Sequence, residues 1–342
     1  MKHHLISIPL LCLLALLSCS NREQEDIVIE HIIEQDTVIV DKKDTVIVNE
    51  KDTIIIDKKD TIIIERDSNT KKEYIILNKD ETINFNIKQV TYWMRQPRAT
   101  RGKQGGDVYN GFFCQFEGGH SVLDIIDIKN KQNIATIELD YNDNYHCNNA
   151  DFSNTFYDIN DEFPLLYSSQ QDRYARCIIV DRLVKRNDNY TLETIQRIDL
   201  PFEQEEPLQH YPDAVIDNMN GFLYVYAGRS SDFYIYKFRL PKIEEGEVVK
   251  LTEEDVLARW VFGDNPARYR QGGKIIGDFL IILEGKSDNK MRIIDLDNHR
   301  YKLINLTSDF GAKWEPEDIF EIDGEIFVAS GGTGIYKIEL SN

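Results

Sequence analysis

The sequence carries too little positive charge for a nucleic-acid partner: 40 Lys and Arg stand against 59 Asp and Glu, for a formal charge of −19. Proteins that grip phosphate backbones present a basic face instead. The same balance excludes adhesion to anionic lipid headgroups by charge. The N-terminal apolar run, Leu5 to Leu17, has 13 residues, short of the ~20 that a bilayer span takes. Long amphipathic helical patterns are missing too, which excludes a helical bundle. The one helix predicted lies in LTEEDVLARW, with Thr252 as cap and Asp255 three residues on. Aromatic side chains are plentiful: 17 Tyr and 16 Phe within 42% hydrophobic residues describe a folded core, not a disordered chain.

The N-terminus does hold a signal. Lys2, His3 and His4 precede an apolar run of the size of a secretory signal core. The run closes in Leu16-Leu17-Ser18-Cys19, which resembles the lipobox of bacterial lipoproteins. That resemblance implies a signal peptide over 1–18, cleavage before Cys19, and a diacylglycerol on its thiol that attaches the chain to a membrane. Glu23, Glu25 and Asp26 follow closely and resemble the surface-export signals of Bacteroidota-type lipoproteins. The implied location is the outer membrane of the cell envelope, facing outward. Cys12 then leaves with the signal and Cys19 takes lipid. Cys114, Cys147 and Cys177 remain, an odd set that reads as three buried small side chains rather than a disulfide framework.

Residues 19–69 form a linker with a repeat. DTVIVDKKDTVIVNEKDTIIIDKKDTIIIE, from Asp36, places Asp-Thr and three aliphatics at Asp36, Asp44, Asp52 and Asp60. Threonine and consecutive β-branched residues disfavour helix, and a period of eight fits neither coiled-coil seam. The expectation is an extended stalk over 36–67, with a reach of roughly 100 Å at ~3.3 Å per residue. The alternative is a small meander turning at the charged clusters. Asp-Thr-aliphatic also resembles the O-glycosylation sequon of Bacteroidota-type exported proteins, which implies Thr37, Thr45, Thr53 and Thr61 as acceptors; the plainer reading is that Asp-Thr caps each turn.

From about residue 70 to 342 the texture is short alternating strands broken by Gly, Asn and Asp. QGGDVYNGFFCQFEGG from Gln104 and QGGKIIGDFLIILEGK from Gln271 match at an offset of 167, and looser copies start at Pro164, Ala214 and Glu317. A small residue follows the second strand of each copy, at Gly118, Ser169, Gly228, Gly285 and Gly331. Such spacing with several strands per copy predicts an all-β propeller of five blades, or six if residues 73–100 build one. The last copy has three strands, so an earlier strand in TINFNIKQVTYW is expected to complete it and remove two free edges. The pattern over residues 75–342 resembles the β-propeller lipoproteins of Bacteroidota, with no G-H…W-D pair, sialidase box or YWTD signature.

In a ring of this kind, the segments before each first strand gather at one channel mouth. They contain Arg98, His146, Asn149, Asp151, His210, Asp213, Arg268, Arg270, Trp314, Glu315 and Glu317. Glu315 and Glu317 flank Pro316 and project to one side of an extended chain; they read as an acid/base pair, as Ca²⁺ ligands with Asp151, Asn149 or Asp213, or as a solvated acidic turn. Trp314 suits a sugar-stacking platform or a wedge between blades. Arg98, Arg268 and Arg270, with Arg95 and Arg101, suit a clamp on an anionic ligand or neutralise nearby acids. His146 and His210 are catalytic only with an acidic partner such as Asp151 or Asp213, and no dedicated metal site is assigned. SGGTG at 330–334 lacks the lysine and helix of a phosphate loop and reads as a hairpin turn. Two classes of function follow: a ligand-binding module for a glycan, peptide or protein, favoured because no catalytic signature is present, or an enzyme (glycoside hydrolase, lyase or lactonase) using Glu315 and Glu317, the histidines and Ca²⁺.

Overall fold

The computed structural model divides into residues 1–72 and residues 73–342. It describes residues 74–96, 102–117, 122–139, 147–171, 176–187, 189–201, 212–227, 233–262, 270–285, 288–310, 315–331 and 334–341, and five short strands before them.

In the first part, Thr37–Ile39 lies between Leu5–Ser7 and His31–Ile32 in a small antiparallel sheet. Thr53–Ile56 pairs antiparallel with Ile62–Glu65, Ile55 opposite Ile63. The third and fourth octads therefore turn back on each other, where an extended stalk would run on. Cys19, Thr45 and Thr61 lie outside the described residues.

The second part is nearly all β and consistent with a β-propeller. Each sequence copy folds as an up-and-down antiparallel unit. The first runs through Lys103–Tyr109, Phe112–Glu117, Val122–Asp127 and Gln132–Glu138. The second comprises Ala150–Phe152, Leu166–Gln171, Arg176–Arg186 and Asn189–Asp199, with Val248–Lys250 added in parallel. The third comprises Asp213–Asp217, Phe222–Ala227, Phe233–Arg239 and Ala258–Phe262. The fourth comprises Arg270–Ile276, Phe279–Glu284, Lys290–Asp295 and Arg300–Asn305. The fifth has Pro316–Ile322, Glu325–Ser330 and Gly334–Leu340, and Ile87–Arg95 supplies its outer strand. Asn110 and Gly111, both at positive φ (47° and 81°), make the tight turn between the first two strands of the first unit.

Five apolar clusters lie between successive units. Val180 and Ile198 meet Val225 and Tyr236; Tyr226 and Ile235 meet Leu280 and Ile294; Ile281 and Ile293 meet Ile319 and Val328. Phe116 and Ile125 pack on Phe152 and Leu166. The fifth cluster joins Phe320 and Phe327 to Phe113 and Ile126, so the last unit packs on the first. Alternation along each strand explains this: the apolar faces of a buried sheet need a neighbour on each side. Cys114, Cys147 and Cys177 are all buried free thiols, as three small core side chains should be.

Two elements depart from the sequence reading. The LTEEDVLARW segment is a 3₁₀ turn, Glu253–Asp255, followed by strand Ala258–Phe262. The expected cap is real: Thr252 donates its N–H (2.6 Å) and its hydroxyl (2.8 Å) to Asp255 Oδ2. The β-branched and aromatic ARWVF run then prefers the sheet. Residues Ile75–Lys79 form a strand parallel to both Ala258–Phe262 and Arg300–Asn305, joining the third and fourth units edge to edge. Among the described residues no helix is long and apolar enough to cross a membrane.

Candidate functional site

The first strands of the five units are neighbours around one axis, and their side chains toward it are polar. Lys274 Nζ donates to Asp107 Oδ2 at 2.6 Å and to Asp151 Oδ1 at 2.8 Å. Asp107 also accepts from Phe152 N at 2.8 Å, and Asp151 from Ile216 N at 3.1 Å. Burial opposes the Lys274 charge, but Asp107 and Asp151 outweigh it and hold the ammonium above the usual lysine range. Asn149 spends both ends of its amide: Nδ2 donates to Ala214 O at 2.6 Å, and Oδ1 accepts from Gly273 N at 2.8 Å. Asp213 Oδ1 accepts from the Ser169 hydroxyl at 2.9 Å. Asp318 accepts from Gly106 N, and from Ile319 N at 2.8 Å; burial pushes its carboxyl well above the ordinary range. These groups tie neighbouring units together across the centre of the ring.

At one end of these strands the pattern changes. Three units carry an irregularity in pairing at the same place: between Lys103 and Gly106, between Arg270 and Gly273, and between Pro316 and Asp318. A bulge leaves a residue out of the ladder and re-aims its side chain. The residues so released are Gln104, Gln271 and Glu317, all buried. Gly105 allows the close approach, since a Cβ there would lie 2.6 Å from Asn149 N. Asn148 stands next on the rim, its Nδ2 donating to Arg270 O at 3.1 Å. Glu315 is half-buried, and a Cβ on Gly285 would meet its Cβ at 2.8 Å and Gln271 Cγ at 3.4 Å. The carbonyl of Glu315 accepts from Gly331 N at 2.9 Å. Gly285 and Gly331, the small residues of the repeat, therefore border the two glutamates.

Four buried oxygens on this rim have no hydrogen-bond partner: Gln104 Oε1, Asn148 Oδ1, Gln271 Oε1 and Glu317 Oε2. Burial raises the Glu317 carboxyl well above the usual glutamate range; the charge of Glu315 and a hydrogen bond with it add to the shift, and Gln104 opposes it by hydrogen bonding. Arg270 sits at the start of the fourth unit's first strand, its guanidinium 5.5 Å from the Phe233 ring. Burial works against its charge, and Asp213 and Glu284 favour it.

Of the residues expected from sequence, the structure brings Glu315, Glu317 and Arg270 to this rim. Asn149, Asp151 and Asp213 are engaged in internal hydrogen bonds. Among the described residues no group of three or more His, Cys, Asp and Glu is placed to hold a metal ion. Arg98, Arg101, His146, His210, Arg268 and Trp314 lie outside the described residues; Arg95 ends the outer strand of the fifth unit and is exposed. Sequence reasoning missed Gln104, Asn148, Gln271, Asp107, Lys274 and Asp318. A signal was present: Gln104 and Gln271 open the two clearest copies, and Asp107 and Lys274 occupy the same repeat position with opposite charge.

No family model matches the chain, and no curated protein matches it. Among solved structures it is similar to the crystal structure of Myxococcus xanthus glutaminyl cyclase, with TM-score 0.48 and 12% identity over 79% of this chain and 99% of that one. It is also similar to the crystal structure of glucose dehydrogenase, with TM-score 0.45 and 10% identity over 74% of this chain and 100% of that one.

Proposed function

We propose that this chain is a lipid-anchored cell-envelope protein whose five antiparallel units are the blades of a propeller, and that the propeller binds a polar ligand at the bulged rim. Cys19 is the anchor, and the octad segment links it to the propeller. The ligand class is a glycan, a peptide or an exposed segment of a protein. One observation supports this reading above the others: four buried oxygens without partners on one rim. Native proteins leave few such groups, because each costs about 1–3 kcal/mol of lost hydration. A ligand that brings donors recovers that cost. The test is a thermal-shift panel of polysaccharides, uronic acids and peptides on the purified full chain, beside the double variant Gln104→Leu/Gln271→Leu. At least one class should raise the melting temperature of the wild type, and the shift should vanish in the variant. A flat response to the whole panel overturns the reading.

A second reading, a propeller hydrolase or lyase, draws on the Glu315–Glu317 pair. A carboxyl held neutral beside a second carboxylate is the arrangement of an acid with its base. Turnover of an ester or glycoside from the same panel, absent in Glu317→Gln, would favour it.

A further inference from the structure

We propose that the ligand of the rim presents a primary ammonium group, held by Gln104 Oε1, Asn148 Oδ1, Gln271 Oε1 and Glu317 Oε2 with Glu315 as further counter-charge. This rests on the rim being a binding site. These four atoms are all oxygens, and the Arg270 guanidinium, a donor, belongs to the same rim. One of them is fixed as an acceptor by what the other end of its side chain does: the Asn148 Nδ2 is committed to Arg270 O at 3.1 Å. A flipped amide there would set oxygen against oxygen. These four positions ask for a group that donates several hydrogen bonds. An ammonium does this with three N–H bonds, whereas a sugar hydroxyl donates one and itself needs donors. Glu315 supplies the matching charge, and a charge-assisted bond is the stronger kind. A metal ion fits less well, since the partnerless oxygens are mostly amides and no cluster of three acidic or metal-ligating side chains is placed to hold one among the described residues. Arg270, next to Gln271 in the chain, has Asp213 and Glu284 acting on its charge.

Amino sugars and peptide N-termini share this group, and the experiment separates them. The purified full chain is titrated calorimetrically with glucosamine and with alaninamide, each against its N-acetylated counterpart, and with calcium chloride. One amine should bind at least tenfold more tightly than its acetylated form, and Glu317→Gln should weaken it tenfold or more. Gln271→Leu, which leaves both carboxyls in place, should weaken it as well and guards against a folding defect in the first variant. The responding amine names the source. Equal binding of the acetylated form, or binding of calcium tighter than either amine, overturns the assignment and leaves the rim as a binding site for a neutral group or a metal. If these probes are silent while the polysaccharide or peptide panel shifts the melting temperature, the ammonium alone is wrong. If that panel is silent too, the binding reading falls with it.

Discussion

Burial lifts the Glu317 carboxyl well above the ordinary range, and the charge of Glu315 adds to it. An acid with a raised folded pKa keeps its proton at pH values where the unfolded chain has lost it. Its contribution to stability is therefore full below the unfolded value, near 4.5, and declines as pH rises through the folded value. Glu317→Gln has no proton to lose. Denaturant midpoints of the two proteins, taken at a series of pH values from acid to mildly alkaline, should show the gap moving toward the variant as pH rises. The limit for one proton is ~1.4 kcal/mol per pH unit. A gap that stays constant across the series would show that Glu317 ionises normally. Glu315 and Glu317 were legible in the sequence because two acids around a proline form a local motif. Asn149, Asp151 and Asp213 were legible as residues near the axis, but not as residues already spent. Their partners, Ala214, Ile216 and Ser169, lie 65, 65 and 44 residues away. The closed ring decides that, and composition does not.

Strands whose partners lie next in the chain were readable from alternation and turn residues, and the closing strand was readable from an unfinished last copy. Ile83 and Phe85, expected within that strand, instead fill the core between the fourth and fifth units, while the strand begins at Ile87. The strand Ile75–Lys79 was not readable, because both of its partners are distant and parallel. Its end is tied to the fourth unit: Asn78 N donates to His299 O at 3.0 Å and Asp80 N to Tyr301 O at 2.8 Å. Arg300 closes the end, reaching Asp80 at 3.1 Å. Leu77, 1% exposed, is its plug in the core of the third and fourth units, among Phe262 and Tyr301. Ile75 packs on the same cluster from a half-buried position, and Leu77 is the strand's one fully buried side chain. Leu77→Ala should cost about 2–5 kcal/mol in urea unfolding, the range for a cavity at a buried leucine. Ile76→Ala, on the exposed face at 58%, should cost under about 1 kcal/mol. Equal costs at the two positions would mean that the strand is pinned by its backbone alone.

At the scale of the whole molecule, charge and anchor belong to one argument. A chain with a formal charge of −19 is repelled by anionic headgroups, so charge does not hold it at a membrane. Its 13-residue apolar run is too short to span the bilayer. Retention would then rest on the acyl chains proposed at Cys19, where each buried CH₂ contributes about 0.8 kcal/mol and two or more chains hold firmly. Cys19→Ser removes the thiol that would carry the lipid and changes nothing in residues 73–342. The wild-type protein, expressed with its signal, should sediment with membranes and stay there through a high-salt wash. The variant should appear in the soluble fraction with an unaltered melting temperature. Salt separates this from charge-driven adhesion, since ionic contacts at a surface are screened within about 10 Å at 0.1 M ionic strength and acyl insertion is not. A variant that remained with the membranes after that wash would place the anchor elsewhere in the chain.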